Sequence, residues 1–109
     1  MTGNKILEDA VSLMGFEVPS EEMKKIAPTV INFVLEDLGE AAVETLEQDL
    51  SLNEALASTC IAGAAMLLSA ALGDLRAKEC FSVLYNEKRS RVKSTKTSIV
   101  NSLPKGELL

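Results

Sequence analysis

Five cations fall within nine positions in the last third of the chain: Lys88, Arg89, Arg91, Lys93 and Lys96, with Glu87 the one opposing charge beside them. A run of this kind can do three things. It can end a helix in solvent, favoured by the negative C-terminal end of the helix dipole. It can meet an acidic protein surface, or it can neutralise phosphates. No set of stacking aromatics or recognition motif accompanies it, which weighs against nucleic-acid readout. Glu36, Glu40 and Glu44 recur every four residues and would share one face if helix persisted through Gly39. With no histidine and no second carboxylate strip, a solvated acidic face is expected there rather than a metal cluster.

The absence of histidine also removes Ser-His-Asp and Cys-His catalysis and the usual zinc ligand sets. Cys60 and Cys80 lack the CxxC spacing and lie in apolar stretches, so both are expected as buried free thiols. No phosphate loop, nucleophile elbow or internal repeat is present. No catalytic, cofactor or metal site is expected, and the cations are the candidate binding residues.

The elements that must position them follow from composition and period. With 47% hydrophobic residues and 4% aromatics in 109 residues, a single core must be built from Leu, Ile, Val, Ala and Met. Alternating β-branched runs are nearly absent, so the chain reads as all-α, a bundle of about four to five helices. Its centre is residues 55–72, eighteen positions without a charge, ended by Gly73-Asp74. The flanking Glu54 and Asp74 are acidic, and Ala, Ser, Thr and Gly dilute the apolarity. A core helix is therefore expected rather than a membrane span. No basic region followed by an apolar run and cleavage site marks secretion.

In chain order, Ile6, Leu7, Ala10, Val11 and Met14 outline a first helix stopped by Gly15. Ser20 caps a second, with Glu21 and Glu22 in its first turn. Pro28 is expected to kink that helix or to begin a new one. Val30, Ile31, Phe33, Val34, Leu35 and Leu38 then form an apolar face, read as the main partner of the central helix. Residues 40–50 read as a short amphipathic piece, and Ser51 or Asn53 as the cap of the central helix. Beyond the Gly73-Asp74 break, Leu75, Cys80, Phe81, Val83, Leu84 and Tyr85 are expected to bury the next helix, whose far end is basic. The domain is placed at residues 1–93. Residues 94–109, with Pro104 and Gly106, are expected to be a flexible or extended arm.

Charge divides the same way. Residues 1–73 hold 12 acids and 3 bases, net −9, while residues 74–109 hold 4 acids and 8 bases, net +4. An acidic body with a basic end can join neighbouring copies head to tail.

The order of features resembles the short helical head–tail connector (adaptor, head-completion) proteins of tailed bacteriophages and prophages. The matching pieces are Gly15-Phe16 before an acidic cap, Ala27-Pro28-Thr29-Val30-Ile31-Asn32 leading to Leu38-Gly39, and Asp49-Leu50-Ser51-Leu52-Asn53-Glu54. Then come Gly63-Ala64-Ala65-Met66-Leu67-Leu68 with Gly73-Asp74, Phe81-Ser82-Val83-Leu84-Tyr85-Asn86-Glu87-Lys88-Arg89, and Val100-Asn101-Ser102-Leu103-Pro104. The resemblance implies a non-enzymatic virion protein without cofactor. Such a protein assembles as a ring, commonly twelve-fold, beneath the portal around the DNA channel, and bridges the portal to a tail-side completion or terminator protein. It would be made in the bacterial host cytoplasm and reside at the head–tail interface, with no membrane contact. Its portal or subunit contacts would fall on Lys88, Arg89, Arg91, Lys93, Lys96, Val100, Leu103, Pro104 and Lys105, and Arg89 and Arg91 could alternatively face channel DNA. Lys105 stands where the family tail tends to carry arginine. The alternatives are another phage assembly role, such as tail completion or packaging, and a small nucleic-acid-binding regulatory module.

Overall fold

A computed structural model describes residues 1–101, and their side chains as far as residue 95. Four helices make up the described fold: α1 (Gly3–Leu13), α2 (Glu21–Asp37), α3 (Glu54–Ala71) and α4 (Leu75–Asn101). No strand occurs among the described residues. The all-α bundle expected from composition is what forms.

Each helix begins where a short polar side chain can take up a free amide. The Thr2 Oγ1 accepts from the Lys5 amide, the Ser20 Oγ from Met23, the Asn53 Oδ1 from Leu56 and the Asp74 Oδ1 from Ala77. The first three helices end in the same device. Gly15, Gly39 and Gly73 have φ of 93°, 77° and 79°, the left-handed region that glycine enters without steric cost. The following amides, of Phe16, Glu40 and Asp74, reach back to the carbonyls of Val11, Leu35 and Ser69 at 3.0, 2.8 and 3.0 Å. These are Schellman closures, and they satisfy the last carbonyls of each helix. Asp74 closes α3 and opens α4 at once, so the link between the two helices is very short and they run antiparallel.

The core centres on α3. Gly63, Ala62, Ala64 and Ala65 keep its waist narrow and buried, so α2 and α4 approach closely there. A β-carbon built on Gly63 would stand 2.8 Å from Cε1 of Tyr85 and 2.9 Å from Cγ1 of Val34. Around it pack Ile6, Leu7, Ala10 and Val11 of α1, and Met23, Ala27, Val30, Ile31, Val34 and Leu35 of α2. Burial of each larger aliphatic side chain contributes about 1.5–3 kcal/mol. By length and composition α3 also satisfies the criterion for a membrane span, yet half of it is buried inside this protein against the other three helices.

Several expectations are corrected. Of the two expectations for Pro28, the start of a new helix is the one overturned: it lies inside α2, which runs on past it. Its ring sits on the exposed side, where water can satisfy the carbonyl it leaves without a partner, and the buried face continues past it. Phe33, expected in the apolar face of α2, is 63% exposed. The principal neighbour of α3 is α4 rather than α2. Residues 40–50 form no helix. The side chain of Asn32 claims both backbone groups of Val43, donating to its carbonyl at 3.0 Å and accepting from its amide at 2.8 Å. Further on, the Asn4 amide binds the Leu46 carbonyl, the Leu50 amide binds the Met1 carbonyl, and Thr2 and Asp49 form an isolated antiparallel bridge. The segment is thus strapped, with bends and turns over residues 44–48, across α2 and the start of α1, burying Val43 and Leu50.

On α4, Tyr85 is buried and Phe81 and Leu84 are half-buried, but Leu75 and Val83 are about 68–69% exposed and Cys80 is exposed. The inward stripe is instead Phe81, Tyr85, Lys88 and Val92, at steps of four, three and four. Val92, buried, extends the core about two turns beyond Tyr85, the last residue expected to bury this helix. The arm placed from residue 94 continues α4 as far as Asn101; residues 102–109 lie outside the described residues.

Candidate interaction face

The basic end of α4 is built into the protein on one side. The carboxylate of Asp37, the last residue of α2, accepts from Arg89 Nε at 2.7 Å, from Arg89 Nη2 at 3.2 Å and from the Tyr85 hydroxyl at 2.6 Å. Tyr85 and Arg89 are one helical turn apart on α4, so a single carboxylate from α2 gathers both. The Arg89 guanidinium, then the Tyr85 hydroxyl, hold the Asp37 carboxyl below its ordinary range, against the opposing effect of burial. Burial first, then the hydrogen bond to Asp37, pushes the Tyr85 phenol well above its ordinary range. The bond to Asp37 raises Arg89 further. The arrangement is a clamp: a two-pronged charge-assisted contact joining elements far apart in sequence.

Two other cations also have partners. Lys88 Nζ donates to Ser58 Oγ of α3 at 2.7 Å, and Arg91 Nη2 to Glu87 Oε1, one turn back, at 2.6 Å. Lys93 is half-buried, and its charge acts on Asp37. Lys96 and Val100 lie on the last turns of α4, beyond the described side chains. Leu103, Pro104 and Lys105 lie outside the described residues. The five cations thus do not form one free basic face: Lys88, Arg89 and Arg91 are engaged within the chain. Asp37, Ser58 and Tyr85 are the residues that sequence reasoning did not assign to this site.

Beside Lys88, α1, α3 and α4 leave a cleft of two lobes. One, about 610 Å³, lies between the start of α3 and the far half of α4, with Leu56, Thr59, Arg91, Val92 and Thr95 in its wall. The other, about 420 Å³, is more apolar, lined by Leu13, Ala57, Ile61, Ala62 and Leu84. Glu54, Ser58 and Lys88 belong to both, so the Lys88–Ser58 bond is the sill between them. Leu13, at the end of α1 and in the wall of the apolar lobe, is exposed, as are Phe16 and Val18 in the link that follows.

Among the described residues no group of three His, Cys, Asp or Glu side chains could hold a metal ion. The carboxylate strip of Glu36, Glu40 and Glu44 is broken because α2 ends at Asp37. Cys60 is a buried free thiol as expected, its ionisation pushed up to about 12 by burial and by the charge of Glu40, which makes it chemically inert in the folded state. Cys80 is free and, contrary to expectation, exposed. Compared with known proteins, the chain matches no family profile, no curated protein and no solved structure.

Proposed function

We propose that this chain is a structural, non-enzymatic assembly protein: a head–tail connector subunit that forms a ring beneath a phage portal. The observation that carries the reading is an acidic body from which a 27-residue helix carries basic residues past its last described core contact, Val92. At about 1.5 Å per residue, residues 93–101 extend that helix by roughly 13 Å. A small domain with one sign of charge on its body and the other on a projecting element is suited to repeated head-to-tail contact. The order of sequence features shared with connector proteins supplies the phage context. In this reading the protein needs no cofactor, sits at the head–tail interface of the virion after assembly in the host cytoplasm, and meets the portal on one side and a tail-side protein on the other.

A nucleic-acid module is the weaker reading, because Lys88, Arg89 and Arg91 already satisfy Ser58, Asp37 and Glu87. Few cations remain to replace the counterions of a phosphate backbone. The deciding experiment mixes the purified protein with the portal protein encoded alongside it and images the product by electron microscopy. A ring of added density on the tail-side face of the portal is expected. Absence of binding at low salt, with both partners folded, overturns the proposal.

A further inference from the structure

We propose that α4 is an exchangeable arm: two copies of this chain open the turn at Gly73-Asp74 and each packs its α4 on the other's α3, giving a two-fold dimer. The dimer is independent of the connector reading.

Among the helices, α4 lies along α3 alone, and the Asp37 carboxylate ties it to α2. It is the outermost layer, and its link to the rest is minimal. Leu72 is already in the α region, at φ −83° and ψ −2°, so Gly73, at φ 79°, is the residue that reverses the chain. Turning Gly73 into the α region and releasing the Asp74 cap joins α3 and α4 into one helix over residues 54–101, roughly 72 Å long.

The exchanged contacts are those the single chain already makes. Gly63 of α3 faces Tyr85 of α4, and Ser58 faces Lys88, so residues about equally far from the turn oppose each other. A two-fold axis at Gly73-Asp74 keeps that register between copies. Each α3 receives an α4 in the same antiparallel sense, and each Asp37 receives the Tyr85 and Arg89 of the other copy. The dimer also gains a contact. Leu72 and Leu75 flank the turn and are 38% and 68% exposed. On a continuous helix they stand one turn apart on one face. The axis brings the pair from each copy to the same side of the crossing, where the four leucines cover one another. The arrangement is isologous and closes at two copies.

Charge exchange across the clamp tests this directly. Asp37→Arg sets two guanidiniums together within one chain, and Arg89→Asp sets two carboxylates together. In an exchanged heterodimer of these two variants, both clamps pair opposite charges again. The two variants are unfolded in urea and refolded at equimolar ratio, then analysed by native mass spectrometry, with each refolded alone as the control. A heterodimer in the mixture is expected, with no dimer from either variant alone. A dimer formed by surface contact leaves both clashes in place and gains nothing from mixing. A second arm changes the turn. No atom lies within 4 Å of where a β-carbon on Gly73 would stand, so Gly73→Ala acts through the backbone alone. It disfavours the left-handed turn and favours continuous helix in both chains, and should shift dimerisation about a thousandfold. Adding Leu75→Asp should take back about tenfold of that. A mixture that refolds without heterodimer, or a folded Gly73→Ala chain that stays monomeric at millimolar concentration, overturns the proposal.

Discussion

In the sequence Asp37 is one acid among the twelve of residues 1–73, yet in the fold its carboxylate takes three hydrogen bonds from α4. Its carboxylate joins Arg89, 52 positions away, and Tyr85, 48 away, and separations of that kind leave no local period to read. Arg89 was visible as a cation but not as a spent one. Because folding lowers the ionisation of Asp37, the clamp is present above the unfolded carboxylate value of about 3.9 and is lost as pH falls through the lower folded value. Because folding raises that of Tyr85, the phenol's contribution is full below about pH 10 and is lost as pH rises beyond it. Asp37→Asn should therefore cost about 1–2 kcal/mol near neutrality, an amount tempered by partial exposure of the pair. It should also flatten the acid limb of the stability curve, as measured by urea unfolding across pH. An acid limb as steep as that of the parent protein would show that other carboxylates set it. Ser69 runs the other way. Its hydroxyl is buried within α3 without a hydrogen-bond partner. Ser69→Ala relieves that desolvation and improves helix propensity, so the denaturation midpoint should rise by the equivalent of about 1 kcal/mol.

At the scale of elements, local chemistry was legible wherever it is local. Gly15, Gly39 and Gly73 announce three helix ends, Ser20 one cap and Ser51 or Asn53 the next, of which Asn53 serves, and the uncharged run the central helix. Failures came where a partner from elsewhere decided the outcome. Asn32 captures Val43 and withholds helix from residues 40–50, whose own pattern favours it. The buried face of α2 carries the helix past Pro28. Leu75 and Val83 look like core residues on composition, but the inward stripe of α4 is set by the register of Tyr85 over Gly63. That register makes a sharp prediction. Gly63→Ala gains about 1 kcal/mol of helix propensity but must push against a Tyr85 ring that Asp37 holds in place and against Val34. Overpacking of this kind costs about 1–3 kcal/mol. The net effect should be destabilisation with a lowered thermal midpoint, and it should shrink when Tyr85→Phe frees the ring from Asp37. Equal losses in the two backgrounds would mean that Val34, not the tyrosine, sets the limit.

At the scale of the whole molecule, sequence alone displayed the charge division, and the fold qualifies it. Of the cations at the far end of the chain, Arg89 and Arg91 are consumed by carboxylates of the same chain, so attraction between copies falls to fewer charges than the count of bases suggests. The acidic body, by contrast, keeps Glu36, Glu44, Glu47 and Glu54 exposed. The net charge of −5 makes approaching copies repel at long range unless they meet with the basic end inward. Salt separates these two contributions. The Debye length falls from about 10 Å at 0.1 M to about 3 Å at 1 M, which screens both the repulsion between acidic bodies and any attraction of a basic end for them. It leaves apolar contact untouched. If short-range attraction dominates, sedimentation equilibrium should show self-association weakening about tenfold from low to high salt and then levelling at a residual set by apolar contact. Association that strengthens steadily with salt would instead mean that body–body repulsion governs how copies meet, and that the projecting basic end contributes little to bringing them together.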